Sequence, residues 1–280
     1  MTAQHPHLWW TPSGVRLRRA SQRPGPWNWL LVPGGPGLGS ESLADLVRLA
    51  PLPGTAWLVD LPGDGSNRTA GQDRDPYERW PHVLVEAAEA LDQVVLVGHS
   101  TGGMFALSAP GLAPHLVGLA LVSSAPHAGW RSAFAAYAES HPHPEITAAA
   151  TAYADQPTDD TLRTLTLAAA PWNFLPGSLA AGRALLAGLP YNNSAVAWAD
   201  AHFDDTYEAR WAPRTLPTLI VSGTEDHIVD QSLWQETPAF AGPSILHHRI
   251  EGAGHFPWLD APHAVRSAFA DFSAMLKKDR

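Results

Sequence analysis

The residues most able to do chemistry lie in the run Val94-Val95-Leu96-Val97-Gly98-His99-Ser100-Thr101-Gly102-Gly103. A short, wholly apolar and β-branched stretch leads into G-x-S-x-G, and a helix-compatible segment follows. This is the strand–turn–helix setting that lifts a serine hydroxyl clear of a sheet and makes it a nucleophile. The turn crowds the backbone at positions 98 and 102, which glycine tolerates. On its own, G-x-S-x-G is a permissive pattern that also occurs in ordinary loops. The strand before it and the helix after it favour the nucleophile reading for Ser100.

A serine hydroxyl is a weak nucleophile. It needs a general base, and the base needs an acid to orient it. Where the serine sits on such an elbow, the acid and then the histidine follow it in the chain. Leu219-Ile220-Val221-Ser222-Gly223-Thr224-Glu225-Asp226 reads as a strand and a turn, placing Asp226 just past the strand's carboxyl end. Glu225 and Asp230 are neighbouring alternatives. Ile250-Glu251-Gly252-Ala253-Gly254-His255 repeats the arrangement and offers His255 as the base. Alone, Asp226 reads as a turn former, and His255 is one of 14 histidines. The argument rests on the conjunction: three residues, in order, each just past a strand end where open α/β sheets bind ligands.

The oxyanion of a tetrahedral intermediate needs N–H donors. Thr101, next after the nucleophile, supplies one. The second is expected from Pro33-Gly34-Gly35-Pro36-Gly37, where the prolines have no N–H; Gly35 is preferred and Gly34 is next. No metal and no cofactor is expected. There is no cysteine, His247 and His248 would face opposite sides of a strand, and no H-x-x-x-H pair stands on a helix.

Around these residues the chain alternates strand and helix. Trp29–Val32, Thr55–Asp60, Val94–Val97, Val117–Val122, Leu216–Ser222 and Ile245–Ile250 read as strands. Ser40 is the expected N-cap of a helix carrying Leu43, Leu46, Val47 and Leu49. A polar loop spans Asp60–Pro76, and helical stripes follow at Tyr77–Leu91 and along Val265, Phe269, Phe272 and Leu276. Near-continuous apolar strands separated by helices point to a parallel sheet covered on both faces. His127–Arg214 is alanine-rich and has no convincing strand. It reads as a helical insertion into an α/β core made of residues 1–126 and 215–280, because the βα pattern resumes after it.

Composition narrows the partners. The 280 residues carry a formal net charge of −9, with 45% hydrophobic residues and only two lysines, Lys277 and Lys278. No basic stripe exists, so neither nucleic acid nor an anionic membrane is an expected partner. No apolar run reaches transmembrane length, and Met1–Arg19 lacks a signal-peptide core. A soluble cytoplasmic protein acting on a small molecule or short peptide is expected.

The chain resembles the α/β-hydrolase superfamily at Gly98-His99-Ser100-Thr101-Gly102-Gly103, Asp60-Leu61-Pro62-Gly63-Asp64-Gly65-Ser66, Gly223-Thr224-Glu225-Asp226 and Gly252-Ala253-Gly254-His255. The resemblance runs from about Trp29 to the C-terminus. It implies an α/β fold with a mostly parallel eight-stranded sheet flanked by helices, and a helical cap inserted after the sixth strand. Gly34-Gly35-Pro36-Gly37-Leu38-Gly39-Ser40 is similar to the H-G-G-P-G loop of the prolyl iminopeptidase branch. Proline replaces its histidine at position 33, His227 stands where some of those peptidases carry a glutamate, and Asp64 stands where many relatives have histidine. The elbow is closer to that of esterases.

The expected activity is that of a serine hydrolase cleaving a small ester or amide through an acyl-enzyme. An aminopeptidase variant would draw on Glu139, Glu145, Asp200, Asp204, Asp205 or Glu208 to hold an amine. The alternatives on the same scaffold are an acyltransferase, perhydrolase or lyase, or a ligand-binding receptor-like protein. Trp130, Tyr137, Tyr153, Trp172, Phe174, Tyr191, Trp198 and Phe203 are aromatic residues of the insertion. Several are expected to line the pocket and to favour an apolar acyl or aromatic group.

Overall fold

A computed structural model describes residues 7–68 and 76–278. Residues 69–75 of the polar loop, and the N-terminal stretch that holds His5, lie outside the described residues. Eight strands form one sheet: β1 (Leu8–Trp10), β2 (Arg16–Gln22), β3 (Trp27–Val32), β4 (Gly54–Asp60), β5 (Val94–His99), β6 (Leu116–Val122), β7 (Thr218–Gly223) and β8 (Ile245–Ile250). Their order is β1-β2-β4-β3-β5-β6-β7-β8. The β1–β2 and β2–β4 pairs are antiparallel, and the remaining pairs are parallel.

The central strands are buried on both faces, and β3 shows how. Trp27, Trp29 and Leu31 join one core cluster with Leu46, Phe269 and Phe272. Leu30 and Val32 join a second with Trp80, Leu84 and Phe105. Strand periodicity of two therefore sorts one segment between two helical layers. Helices α1 (Ala44–Leu49) and α11 (Pro262–Lys278) serve the first face, and α2 (Trp80–Glu89) and α3 (Thr101–Leu107) serve the second.

Three elements differ from the sequence reading. Strands β1 and β2 are absent from it, because Arg16-Leu17-Arg18-Arg19 has no apolar run to mark a strand. Arg16 and Arg18 share one face and both bond the fully buried Asp60 of β4, at 2.9 and 2.7 Å. Ser40 is not an N-cap. The chain enters α1 through a 3₁₀ turn at Ser40–Leu43, with no side-chain cap, and the Ser40 hydroxyl donates to Asp60 Oδ1 at 2.5 Å.

Between β6 and β7 run α4 (Trp130–Ser140), α5 (Pro144–Asp155), α6 (Asp159–Ala168), α7 (Ala170–Asn173), α8 (Leu179–Ala187) and α9 (Asn193–His202). A short antiparallel bridge from His127 to Glu208 ties the two ends of this segment. Among the described residues no helix is long and apolar enough to cross a membrane. α10 (Pro257–Asp260) follows β8 directly.

Candidate active site

Parallel register brings the carboxyl ends of four strands to one level. Val32 pairs with Gly98, Gly98 with Leu121, and Gly223 with Ile250. The loops that follow β3, β5, β7 and β8 carry Gly34 and Gly35, Ser100, Asp226 and His255. Gly35, Ser100, Asp226 and His255, each 29 or more positions from the next in sequence, therefore meet along one edge.

Ser100 has φ 50° and ψ −126°, left-handed backbone that a non-glycine residue adopts only under constraint. Its amide is bonded to Val122 O at 2.9 Å, and its carbonyl accepts from Gly103 N at 3.0 Å. Glycine is required on both sides of the turn. A Cβ on Gly98 would stand 2.5 Å from Gly103 Cα, and one on Gly102 would stand 2.4 Å from Val32 O. The sharp strand-to-helix turn follows from this mutual approach.

Asp226 and His255 are brought together. The Nδ1–H of His255 donates to the Asp226 carboxylate, with both oxygens at 3.1 Å. Asp226 Oδ1 also accepts from Ile228 N at 3.1 Å and Val229 N at 3.0 Å, and Oδ2 accepts from Gln231 Nε2 at 3.2 Å. Glu225 and Asp230 take no part. Glu225 lies near His227 at 3.8 Å, and Asp230 caps the following turn by accepting from Ser232 N at 2.9 Å. The loop of His255 is held from outside the sheet: its amide donates to Asn173 O at 3.1 Å, and Gly254 N donates to Asp260 Oδ2 at 2.8 Å. Engagement of Nδ1 leaves Nε2 as the basic nitrogen of the ring.

Ser100, Thr101, Gly34, Gly35 and His255 line one cavity of about 650 Å³. Gly34 packs directly under the serine, since a Cβ there would lie 2.5 Å from Ser100 Cβ. Gly35 has φ 120°, and a Cβ there would lie 2.8 Å from Leu38 Cγ. Much of the remaining wall is apolar and comes from α4 to α9, including Trp130, Phe134, Ile146, Leu162, Trp172 and Val196, with Met104, Ile228, Val229 and Phe256 from the core side. Among the described residues no group of three or more His, Asp or Glu side chains is placed to hold a metal.

The alpha/beta hydrolase family model matches residues 29–268. The chain belongs to this family. A pimeloyl-[acyl-carrier protein] methyl ester esterase of Xylella fastidiosa is 29% identical to it over 230 residues, covering 79% of this chain and 86% of that protein. The fold is shared with an alpha/beta fold family hydrolase of Bacillus anthracis, at a TM-score of 0.72 and 18% identity over 95% of this chain and 98% of the other. It is shared also with a proline iminopeptidase of Mycobacterium smegmatis, at 0.65 and 19% over 98% and 100%.

The hydrolase's cavity wall departs in detail from the sequence reading. Of the eight aromatic residues named, Trp130 and Trp172 line it. Trp198 and Phe203 instead pack inward against Tyr77, Trp80 and Phe105, and Phe174 lies on Phe256. Phe134, which the sequence reading passed over, is in the wall. Which face of a helix meets the cavity depends on how neighbouring helices dock, and aromatic content does not report it.

One further group, His99, escapes sequence reasoning. His99 is buried, and its Nε2–H donates to His255 O at 3.0 Å. Burial, and then the nearby His255, pull its pKa down to about 3, so it stands as a neutral ring. Of the six acids weighed for an amine, only Asp204 lines the cavity. Burial pushes its carboxyl up to about 6, against the opposing pull of Arg131.

Proposed function

We propose that this hydrolase cleaves a small, uncharged ester of an apolar acyl group through an acyl-enzyme on Ser100. The observation that carries the reading is the meeting of Ser100, on its strained turn, with the Asp226-held His255 at the wall of one largely apolar cavity. Ser100 Oγ attacks the ester carbonyl as its proton passes to His255 Nε2. Asp226 holds the ring and stabilises the imidazolium that forms. The N–H groups of Thr101 and Gly35 receive the oxyanion. The alcohol then leaves with the proton from His255. Water, deprotonated by the same nitrogen, releases the acid and restores Ser100.

The helices between β6 and β7, within residues 127–214, act in this reading as a cap that covers the serine and supplies the acyl pocket. Neither a metal nor another cofactor enters the scheme, and the partner is a small molecule. The methyl ester esterase name of the Xylella relative supports an ester over an amide. A second reading draws on Asp204, the one acid of the insertion in the wall, which would hold a substrate amine in an aminopeptidase. Its Oδ2 already faces Arg131 at 3.5 Å, which weakens the grip it could offer.

Activity-based labelling tests the scheme. A fluorophosphonate should modify Ser100, and Ser100→Ala should lose both the label and at least ~10³-fold in kcat on p-nitrophenyl hexanoate. Labelling that persists in Ser100→Ala, at Ser123 or Ser222, overturns the assignment. Faster turnover of aminoacyl-naphthylamides than of esters selects the second reading.

A further inference from the structure

Asp64 stands in Asp60-Leu61-Pro62-Gly63-Asp64-Gly65-Ser66 as a departure from the family pattern, and the mechanism above gives it no task. It is buried, with 2% of its surface exposed. Its Oδ1 accepts from Gly37 N at 2.8 Å. Gly37 is gripped from the other side as well, where its carbonyl accepts from Asn192 N at 2.8 Å at the start of α9. The residue has φ 91°, and a Cβ there would stand 2.4 Å from Asn192 O. Gly39 and Gly65 approach so closely that a Cβ on Gly65 would lie 2.5 Å from Gly39 Cα. Three segments therefore converge on Gly37: the loop with Gly35, the loop after β4, and the start of α9.

Gly37 is two residues from Gly35, the proposed oxyanion donor, and the loop between them contains Pro36, which limits its freedom. We infer that Asp64, acting through Gly37, is a positioning residue that keeps the Gly34–Gly37 loop aimed at Ser100, and that it does so best as a carboxylate. The inference rests on the acyl-enzyme reading above. A carboxylate accepts an amide hydrogen more strongly than a carboxylic acid does, so protonating Asp64 slackens the loop.

The charges around Asp64 set when this happens. Burial is the largest influence, and it pushes the carboxyl up to about 7. The amides of Gly37 and Gly65 oppose it, while the carboxylates of Asp60 and Glu41 add to it. From β2, Arg18 engages Glu41 at 2.9 Å and Asp60 at 2.7 Å, and Arg16 engages Asp60. Arg68, beside Gly65 O at 3.3 Å, is drawn to Asp159 at 2.8 Å. The nearby arginines are thus committed to other acids.

The test compares the wild type with Asp64→Asn, which keeps an oxygen acceptor for Gly37 and cannot titrate. Steady-state hydrolysis of p-nitrophenyl hexanoate is followed from pH 5 to 9. The kcat advantage of the wild type over Asp64→Asn should be roughly fivefold at pH 8 and should shrink toward parity as the pH falls through 7, with the two KM values within about twofold of each other. A side chain with only a packing role would give a kcat ratio that does not change with pH.

Unfolding measurements give a second readout. A carboxyl ordinarily near ~3.9 when unfolded and raised when folded adds stability below the unfolded value, and this is lost as pH rises through the folded one. The stability of the wild type relative to Asp64→Asn should therefore fall between about pH 4 and pH 7. Superimposable activity profiles, a change confined to KM, or a stability difference flat with pH each overturns the inference. Failure of the parent reading looks different, because Ser100→Ala would then keep its label.

Discussion

Replacing Asp226 with asparagine tests the electrostatics of the candidate site. Asp226 Oδ1 accepts from two backbone amides, Ile228 N and Val229 N, and an amide oxygen must remain there. The asparagine Nδ2 is then forced to the Oδ2 position, facing His255 Nδ1. There it donates and favours a ring with its proton on Nε2, the nitrogen that has to accept from Ser100, against the pull of Oδ1, which is also 3.1 Å from Nδ1. Gln231 Nε2, at 3.2 Å from Oδ2, would meet a second donor and add to the cost.

The imidazolium formed at the first step also loses its partner. At 3.1 to 4 Å, with an effective dielectric of about 20, that attraction is worth about 4 to 5 kcal/mol. This converts to roughly 10³- to 10⁴-fold in kcat. The assay is kcat and KM on p-nitrophenyl hexanoate beside the rate of fluorophosphonate labelling, with Asp230→Asn and Glu225→Gln as companions. Both companions should stay within about threefold of the wild type, since neither carboxylate reaches His255. A severe loss in Asp230→Asn with a mild one in Asp226→Asn would refute the reasoning.

Further outcomes follow from the cavity. Gly34→Ala places a methyl group 2.5 Å from Ser100 Cβ and 2.9 Å from His99 O; it should cost at least ~100-fold in kcat and in labelling rate while circular dichroism still reports a folded protein. The largely apolar wall, with Asp204 its one acid, should reject carboxylate-bearing acyl groups. The p-nitrophenyl ester of hexanoate should exceed the monoester of adipate by about tenfold or more in kcat/KM, and equal rates would mean that the acyl group does not enter this cavity.

What was legible in the sequence is what depends on neighbours along the chain. The elbow at Ser100 is set by the small residues beside it, because only glycine at 98 lets the strand come so close to Gly103 of the helix. The buried strands announce themselves through apolar runs, and the order serine, aspartate, histidine follows from which strand each residue terminates.

What required the tertiary structure is set by contacts between distant segments. Glu225, Asp226 and Asp230 are equivalent in a turn, and only the approach of β8 to β7 gives one of them a histidine. Strand β2 is tied to β4 where Arg16 and Arg18 find the buried Asp60, more than 40 residues away, and β1 pairs on β2 in turn. Phe134 and Asp204 reach the cavity through helix docking, which a local stripe does not report. Asp64 reads as an ordinary loop acid until its own loop packs against the Gly37 loop and the start of α9, and that removal from water brings its proton into the range where it can matter.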